Sequence, residues 1–108
     1  MTGKRYKLVV YVPKTHGDKM REAIGNAGGG KIGGKYSFCS FTLQGTGRFK
    51  PVERAHPYIG VVGKLETVPE ERIEVTCDEN ILDAVISAMK KVHPYEEVVY
   101  DVYPLNIC

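Results

Sequence analysis

Three histidines, one ambiguous cysteine and two adjacent glutamates are the residues of this 108-residue chain whose types could do chemistry. Imidazole and thiolate suit borderline-soft divalent metals, so His16, His56, His93 and Cys39 are the candidate ligands for a divalent metal ion. Their spacing adds nothing to that candidacy, since no two histidines stand at the i, i+4 separation of one helix face. A lone histidine ahead of a helix or a proline also serves as a cap or turn residue. The triplet His-Pro-Tyr occurs twice, as His56-Pro57-Tyr58 and His93-Pro94-Tyr95, a repetition chance can produce. Glu96 and Glu97 follow directly, and on a strand neighbouring side chains point to opposite faces. They therefore cannot act as a general acid and base pair within one chain. One of them can instead bond backbone amides of the middle of the chain or bind a cation at a subunit boundary. No Ser-His-Asp, Cys-His or carboxylate-pair spacing is present, which points away from an enzyme.

The glycine cluster Gly28-Gly29-Gly30-Lys31-Ile32-Gly33-Gly34 is the other conspicuous stretch. Phosphate-binding glycine loops follow a strand and open a helix, whereas this one follows a helical pattern and opens a strand pattern. It reads as a helix cap and turn, with a backbone anion nest helped by Lys31 as the alternative. Of the three cysteines, Cys77 falls on a core-facing position and Cys108 is a free thiol at the end of the sequence. An odd count without metal spacing suits a reducing compartment, so a cytoplasmic protein is expected. A formal charge of +2, with Lys and Arg scattered, gives no footprint for nucleic acid. No apolar run approaches the roughly 20 residues of a membrane span, and the first one is too short for a signal-peptide core.

These residues need elements to position them, and hydrophobic periodicity supplies the elements. Residues 5–12 alternate as a strand that Pro13 ends. Thr15 and Asp18 predict a capping box ahead of a helix with Met20, Ala23, Ile24 and Ala27 as its buried stripe. Residues 35–44 read as a second strand with Tyr36 and Phe38 on one face and Cys39, Phe41 and Leu43 on the other. From about 45 to 69 periodicity fades, and short strand pieces, best placed at 58–68, or an extended hairpin are expected. Residues 70–77 form the cleanest strand, with Ile73, Val75 and Cys77 inward. Asp78 or Asn80 should cap a second helix whose stripe is Ile81, Ala84, Val85, Ala88 and Val92. Pro94 ends that helix, and residues 94–104 read as a last strand with apolar groups on both faces.

One domain spanning 1–108 with the order β-α-β-β-α-β follows. Two right-handed crossovers interleave most simply as an α+β, ferredoxin-like fold: a four-stranded antiparallel sheet with both helices on one face. Its other face would lie bare, with Val9, Tyr11, Tyr95, Val99 and Tyr103 on it. Such a face predicts a homo-oligomer packed sheet on sheet.

Four stretches carry a resemblance: Tyr11-Val12-Pro13-Lys14-Thr15-His16 before a helix, Ala27-Gly28-Gly29-Gly30-Lys31-Ile32-Gly33, Thr42-Leu43-Gln44-Gly45-Thr46-Gly47-Arg48-Phe49-Lys50-Pro51, and His93-Pro94-Tyr95-Glu96-Glu97. In that order they resemble the PII-like insert domain of the Nif-three-like (Ngg-one-interacting-factor-three) family, of which this chain looks like a stand-alone copy. The resemblance implies a fold similar to PII signalling proteins and to CutA, and hence a trimer ahead of a dimer. It implies a non-enzymatic binding or regulatory module receiving a small ligand, a metal ion or a protein partner. The ligand-binding residues it singles out are His93, Tyr95, Glu96, Glu97, Lys31, Gly45, Gly47 and Arg48. Full-length members carry a separate two-lobed domain with a dinuclear metal site, to which hydrolase and cyclohydrolase labels attach, and its histidine-rich motifs do not occur here. The alternative is a metal-binding protein related to those hydrolases. Two positions depart from the pattern: Phe38 replaces a His common before Cys39, and Val98 replaces a Pro after Glu97.

Overall fold

The computed structural model of the chain describes residues 4–106 and orders them as β1 (Arg5–Pro13), α1 (Gly17–Asn26), β2 (Phe41–Phe49), β3 (Glu66–Asp78), α2 (Leu82–Val92) and β4 (Tyr100–Leu105). The four strands form one antiparallel sheet in the order β2-β3-β1-β4, the ferredoxin-like arrangement. Period-2 alternation places Leu8, Val10 and Val12 of β1 beside Ile73, Val75 and Cys77 of β3 on one face. Met20 and Ile24 of α1 and Val85 and Met89 of α2 close over them, none more than 4% exposed. Each such side chain contributes about 1.5–3 kcal/mol of burial, so this face holds the two helices in place. Cys77 sits in that core, and burial pushes its thiol up, as suits an inert apolar side chain. Cys108 lies outside the described residues.

Glycine ends α1 as its cluster predicts. Gly28, at φ +105°, bonds back to the Gly25 carbonyl at 3.0 Å, and Gly29 to that of Ile24 at 3.0 Å, a Schellman closure. The structure corrects four local expectations. The expected strand at 35–44 begins only at Phe41. Gly30 bonds the Thr76 carbonyl and receives the Cys39 amide, both at 2.9 Å, while Phe38 adopts φ 59° and lays its ring on Gly25. Gly33 and Gly34, both at positive φ, then turn a small loop closed by an Ile32–Tyr36 bridge, which overrides the β propensity of Tyr36 and Phe38. The expected strand at 94–104 begins at Tyr100, because the His93 ring ties the chain down on both sides, as described below. Neither helix takes its predicted cap. Thr15 Oγ1 bonds His16 Nδ1 at 2.9 Å, Asp18 pairs with Arg21, and Asp78 pairs with Arg5, while a 3-10 turn leads into each helix. The stripe of α2 runs through Val85 and Met89 with Ile86 beside them, leaving Ala84 exposed.

β2 and β3 pair from Phe41↔Glu74 to Phe49↔Glu66, a nine-residue hairpin whose tip is the 50–65 loop. The expected strand pieces between 58 and 65 are turns and bends. The bare face of the sheet is mixed rather than wholly apolar. Val9 lies at its centre and is fully buried, next to a ladder in which Lys7 and Arg72 both pair with Glu74 and Arg72 covers the Tyr11 ring. Exposed apolar groups lie to either side, led by Phe41 (63%) and Leu43 on β2 and Val99 (59%) and Tyr103 at β4.

Candidate functional site

The hairpin extends past the end of β1, and the segment from His93 to Val99 runs alongside it. Between them opens a cleft of about 600 Å³. The pleat decides which side chains face it. Leu43, Gly45, Gly47 and Phe49 pair in register with Arg72, Glu70, Val68 and Glu66, so this set shares the helix-free side. Thr42 and Gln44 turn the other way, where they bond Arg21 and Glu71 beneath α1. The opposite wall is Tyr95 to Val99, and the hairpin tip contributes Pro51, Pro57 and Tyr58.

His93 fixes the second wall. It ends α2 with an extended backbone, since Pro94 follows. Its Nε2 lies 2.7 Å from the Tyr11 carbonyl, and its Nδ1 accepts the Tyr95 amide at 3.2 Å. One neutral tautomer satisfies both bonds, with the proton on Nε2. Burial lowers the imidazole below the usual histidine range, against the opposing pull of the Tyr11 carbonyl and Glu70. Both ring nitrogens are thus occupied by backbone.

Tyr95 stands next to it, with ring centroids 5.1 Å apart, and donates its hydroxyl to Glu70 Oε2 at 2.8 Å. Burial, reinforced by the Glu70 carboxylate, drives the phenol far above the usual tyrosine range, so it remains a donor. Phe49 and Tyr58 meet Tyr95 at 5.9 and 6.4 Å, and His16 meets Tyr58 edge-on at 5.8 Å. The two His-Pro-Tyr triplets therefore come together in space. A second link is the His56 amide, which donates to Glu96 Oε2 at 2.8 Å. The repetition that chance could explain is here a clasp holding the hairpin tip to the body of the fold.

Of the sequence-derived candidates, Tyr95, Glu96, Glu97, Gly45, Gly47 and Arg48 border this cleft, and His93 supports it from behind. Lys31 lies at the far end of the sheet, where its carbonyl accepts from Arg5. The proposed metal ligands divide in the same way. His16, His56 and His93 gather around the tyrosine pair, while Cys39 is pinned to Gly30 level with Lys7, roughly 13 Å of strand from the Tyr11 carbonyl that holds His93. Among the described residues no group of three or more His, Cys, Asp or Glu side chains could hold a metal ion. Sequence reasoning missed Glu70, Phe49 and Arg72 as cleft residues. The signal for Glu70 was Gly47: a Cβ there would collide with the Glu70 carboxylate, which lies across the glycine to reach Tyr95.

No family model matches the chain. It is 54% identical over 104 residues to a protein of Halalkalibacterium halodurans named GTP cyclohydrolase 1 type 2 homolog, covering 96% of this chain and 28% of that one. A Bacillus cereus protein related to NIF3 superimposes with a TM-score of 0.85 at 46% identity, over 99% of this chain and 27% of that one. CutA1 from Oryza sativa shares the fold at a TM-score of 0.64 and 20% identity, over 99% of this chain and 84% of that one. The chain spans about a quarter of the length of the curated relatives it matches.

Proposed function

We propose that this chain, which belongs with the NIF3-related proteins as the homologue of one segment of them, is a small-ligand binding or regulatory module. The observation that carries the reading is the cleft of about 600 Å³ between the hairpin and the His93–Val99 segment, a volume in the usual range of small-molecule sites. Its walls include Tyr11, Phe49, Tyr58 and Tyr95, and the Tyr95–Glu70 hydrogen bond lies among them. Tyr95, Glu96, Glu97, Gly45, Gly47 and Arg48 are the binding residues of this reading, with His93 as their support. The cyclohydrolase in the relatives' name belongs to proteins of which this chain covers 28%, and we assign no turnover to this segment.

The working unit in this reading is a cytoplasmic homo-oligomer, a trimer ahead of a dimer. The support is the exposed apolar set Phe41, Leu43, Val99 and Tyr103 on the helix-free face, together with the CutA-like fold. Copies sealing that face would place the cleft at a subunit boundary. No helix among the described residues is long and apolar enough to cross a membrane. Native mass spectrometry tests both parts at once, since it reports subunit count and retained small molecules together. An oligomer carrying a stoichiometric small ligand is the expected result. A bare monomer at micromolar concentration would remove the basis of the proposal.

A further inference from the structure

The charges inside the cleft are unevenly spent. Arg72 pairs with Glu74 as an ion pair, its Nε 3.0 Å from Oε2 but outside hydrogen-bond alignment, and its guanidinium covers Tyr11. Arg48 borders the cleft, but on β2 it has the parity of Thr42 and Gln44 and not of Gly45 and Gly47, which pair with the floor. Glu96 takes the His56 amide on Oε2 and is exposed to solvent. Glu70 is different. Its carboxylate lies in the space that the absent side chain of Gly47 leaves, and Tyr95 fixes Oε2. Among the described residues Oε1 receives no donor from the protein. Its partner Tyr95 is flanked by the rings of Phe49 and Tyr58, and aromatic faces carry the negative end of the ring quadrupole.

A fixed carboxylate with one free oxygen beside an aromatic cluster is complementary to one ligand class. We infer that the cleft binds small organic cations, an ammonium group seated on Glu70 with a flat apolar body against Phe49, Tyr58 and Tyr95. The inference rests on the cleft being a ligand site and adds the sign of the ligand's charge.

Two probes of nearly equal shape and opposite charge, tryptamine and indole-3-propionate, separate the claims in an amide NMR titration of the whole chain. Tryptamine should shift the amides of Gly45, Gly47 and Tyr95 and bind at least tenfold more tightly than the propionate. Glu70→Gln should weaken the amine roughly tenfold or more without weakening the propionate, because a charge-assisted hydrogen bond becomes a neutral one and the repulsion of a carboxylate ligand is removed. The comparison on the unmodified chain needs no variant, so it stands even if Glu70→Gln disturbs the hairpin. Propionate binding at the same amides as tightly as the amine would overturn the charge preference and leave the cleft as a site. Failure of both probes to move those amides would overturn the inference and count against the cleft itself.

Discussion

His93 gives the sharpest quantitative expectation. Its neutral ring donates through Nε2 to the Tyr11 carbonyl and accepts the Tyr95 amide at Nδ1, in a buried position beside Glu70 and His16. Protonation would turn Nδ1 into a donor facing another donor. The folded-state pKa is therefore depressed below the unfolded value near 6.5, and between the two the unfolded chain binds the extra proton. The stabilisation is complete above about pH 6.5 and is lost as pH falls through the folded pKa, with a limiting slope of about 1.4 kcal/mol per pH unit. Urea unfolding at pH 7.5 and 5.5 should thus show a loss of at most about 1.4 kcal/mol from this group in the native chain. His93→Gln cannot titrate. It should cost about 1–3 kcal/mol at pH 7.5 through the two weakened bonds, and its stability should then vary less between the two pH values. Carboxylates titrate mainly below this window, and His16 and His56 remain in both proteins, so the difference between the two slopes isolates His93. Equal slopes in the two proteins would refute the assignment of a neutral, doubly bonded imidazole.

Three further substitutions follow from the packing. Gly47→Ala should break the Tyr95–Glu70 bond, because its Cβ meets the carboxylate; a loss of about 1–3 kcal/mol by urea unfolding and a shifted Tyr95 amide in NMR spectra are expected. Gly25→Ala inverts the usual rule: glycine inside a helix ordinarily gains about 0.5–1 kcal/mol on becoming alanine, but here the new methyl group strikes the Phe38 ring, so destabilisation is expected in the same assay. Arg21→Ala strands Glu71, whose carboxylate burial pushes up but which bonds from Arg21 at 2.7 Å and Gln44 at 2.9 Å hold below the usual range. A loss of about 2–4 kcal/mol at pH 7 is expected. Because a depressed carboxyl pKa stabilises only above its unfolded value near 4.3, the variant and native stabilities should converge as the pH falls below 4.

What the sequence disclosed divides along a physical line. The core was legible because alternation at Ile73, Val75 and Cys77 and the i, i+4 pair Met20 and Ile24 report burial directly. The order of elements then left one simple topology. Positions set by long-range backbone pairing were not legible. Tyr36 and Phe38 have strong strand propensity, yet Gly30 ties to Thr76 and Cys39, which lie 46 and nine residues further along the chain. The caps failed for a related reason at Asp78, which found its arginine partner 73 residues away, whereas Asp18 pairs locally with Arg21 at i+3.

The cleft shows the same division within a single site. Tyr95 and Glu96 could be singled out because they sit in a compact motif, but Glu70 could not, because its role depends on the register of β2 against β3. In that register Gly45 stands opposite Glu70 and Gly47 opposite Val68, so the carboxylate reaches diagonally over Gly47 toward Tyr95. A one-residue slip would turn Glu70 to the helix side and Glu71 into the cleft. The Arg21–Glu71–Gln44 bonds forbid that slip, for they hold Glu71 beneath α1 from both neighbouring elements. The ion pair on the helix side thus fixes which carboxylate the cleft presents on the other. Loosening it through Arg21 should disorder the Glu70–Tyr95 bond from across the sheet. An Arg21→Ala chain that remained folded, with Gly45, Gly47 and Tyr95 amides unshifted, would show that the register is held elsewhere.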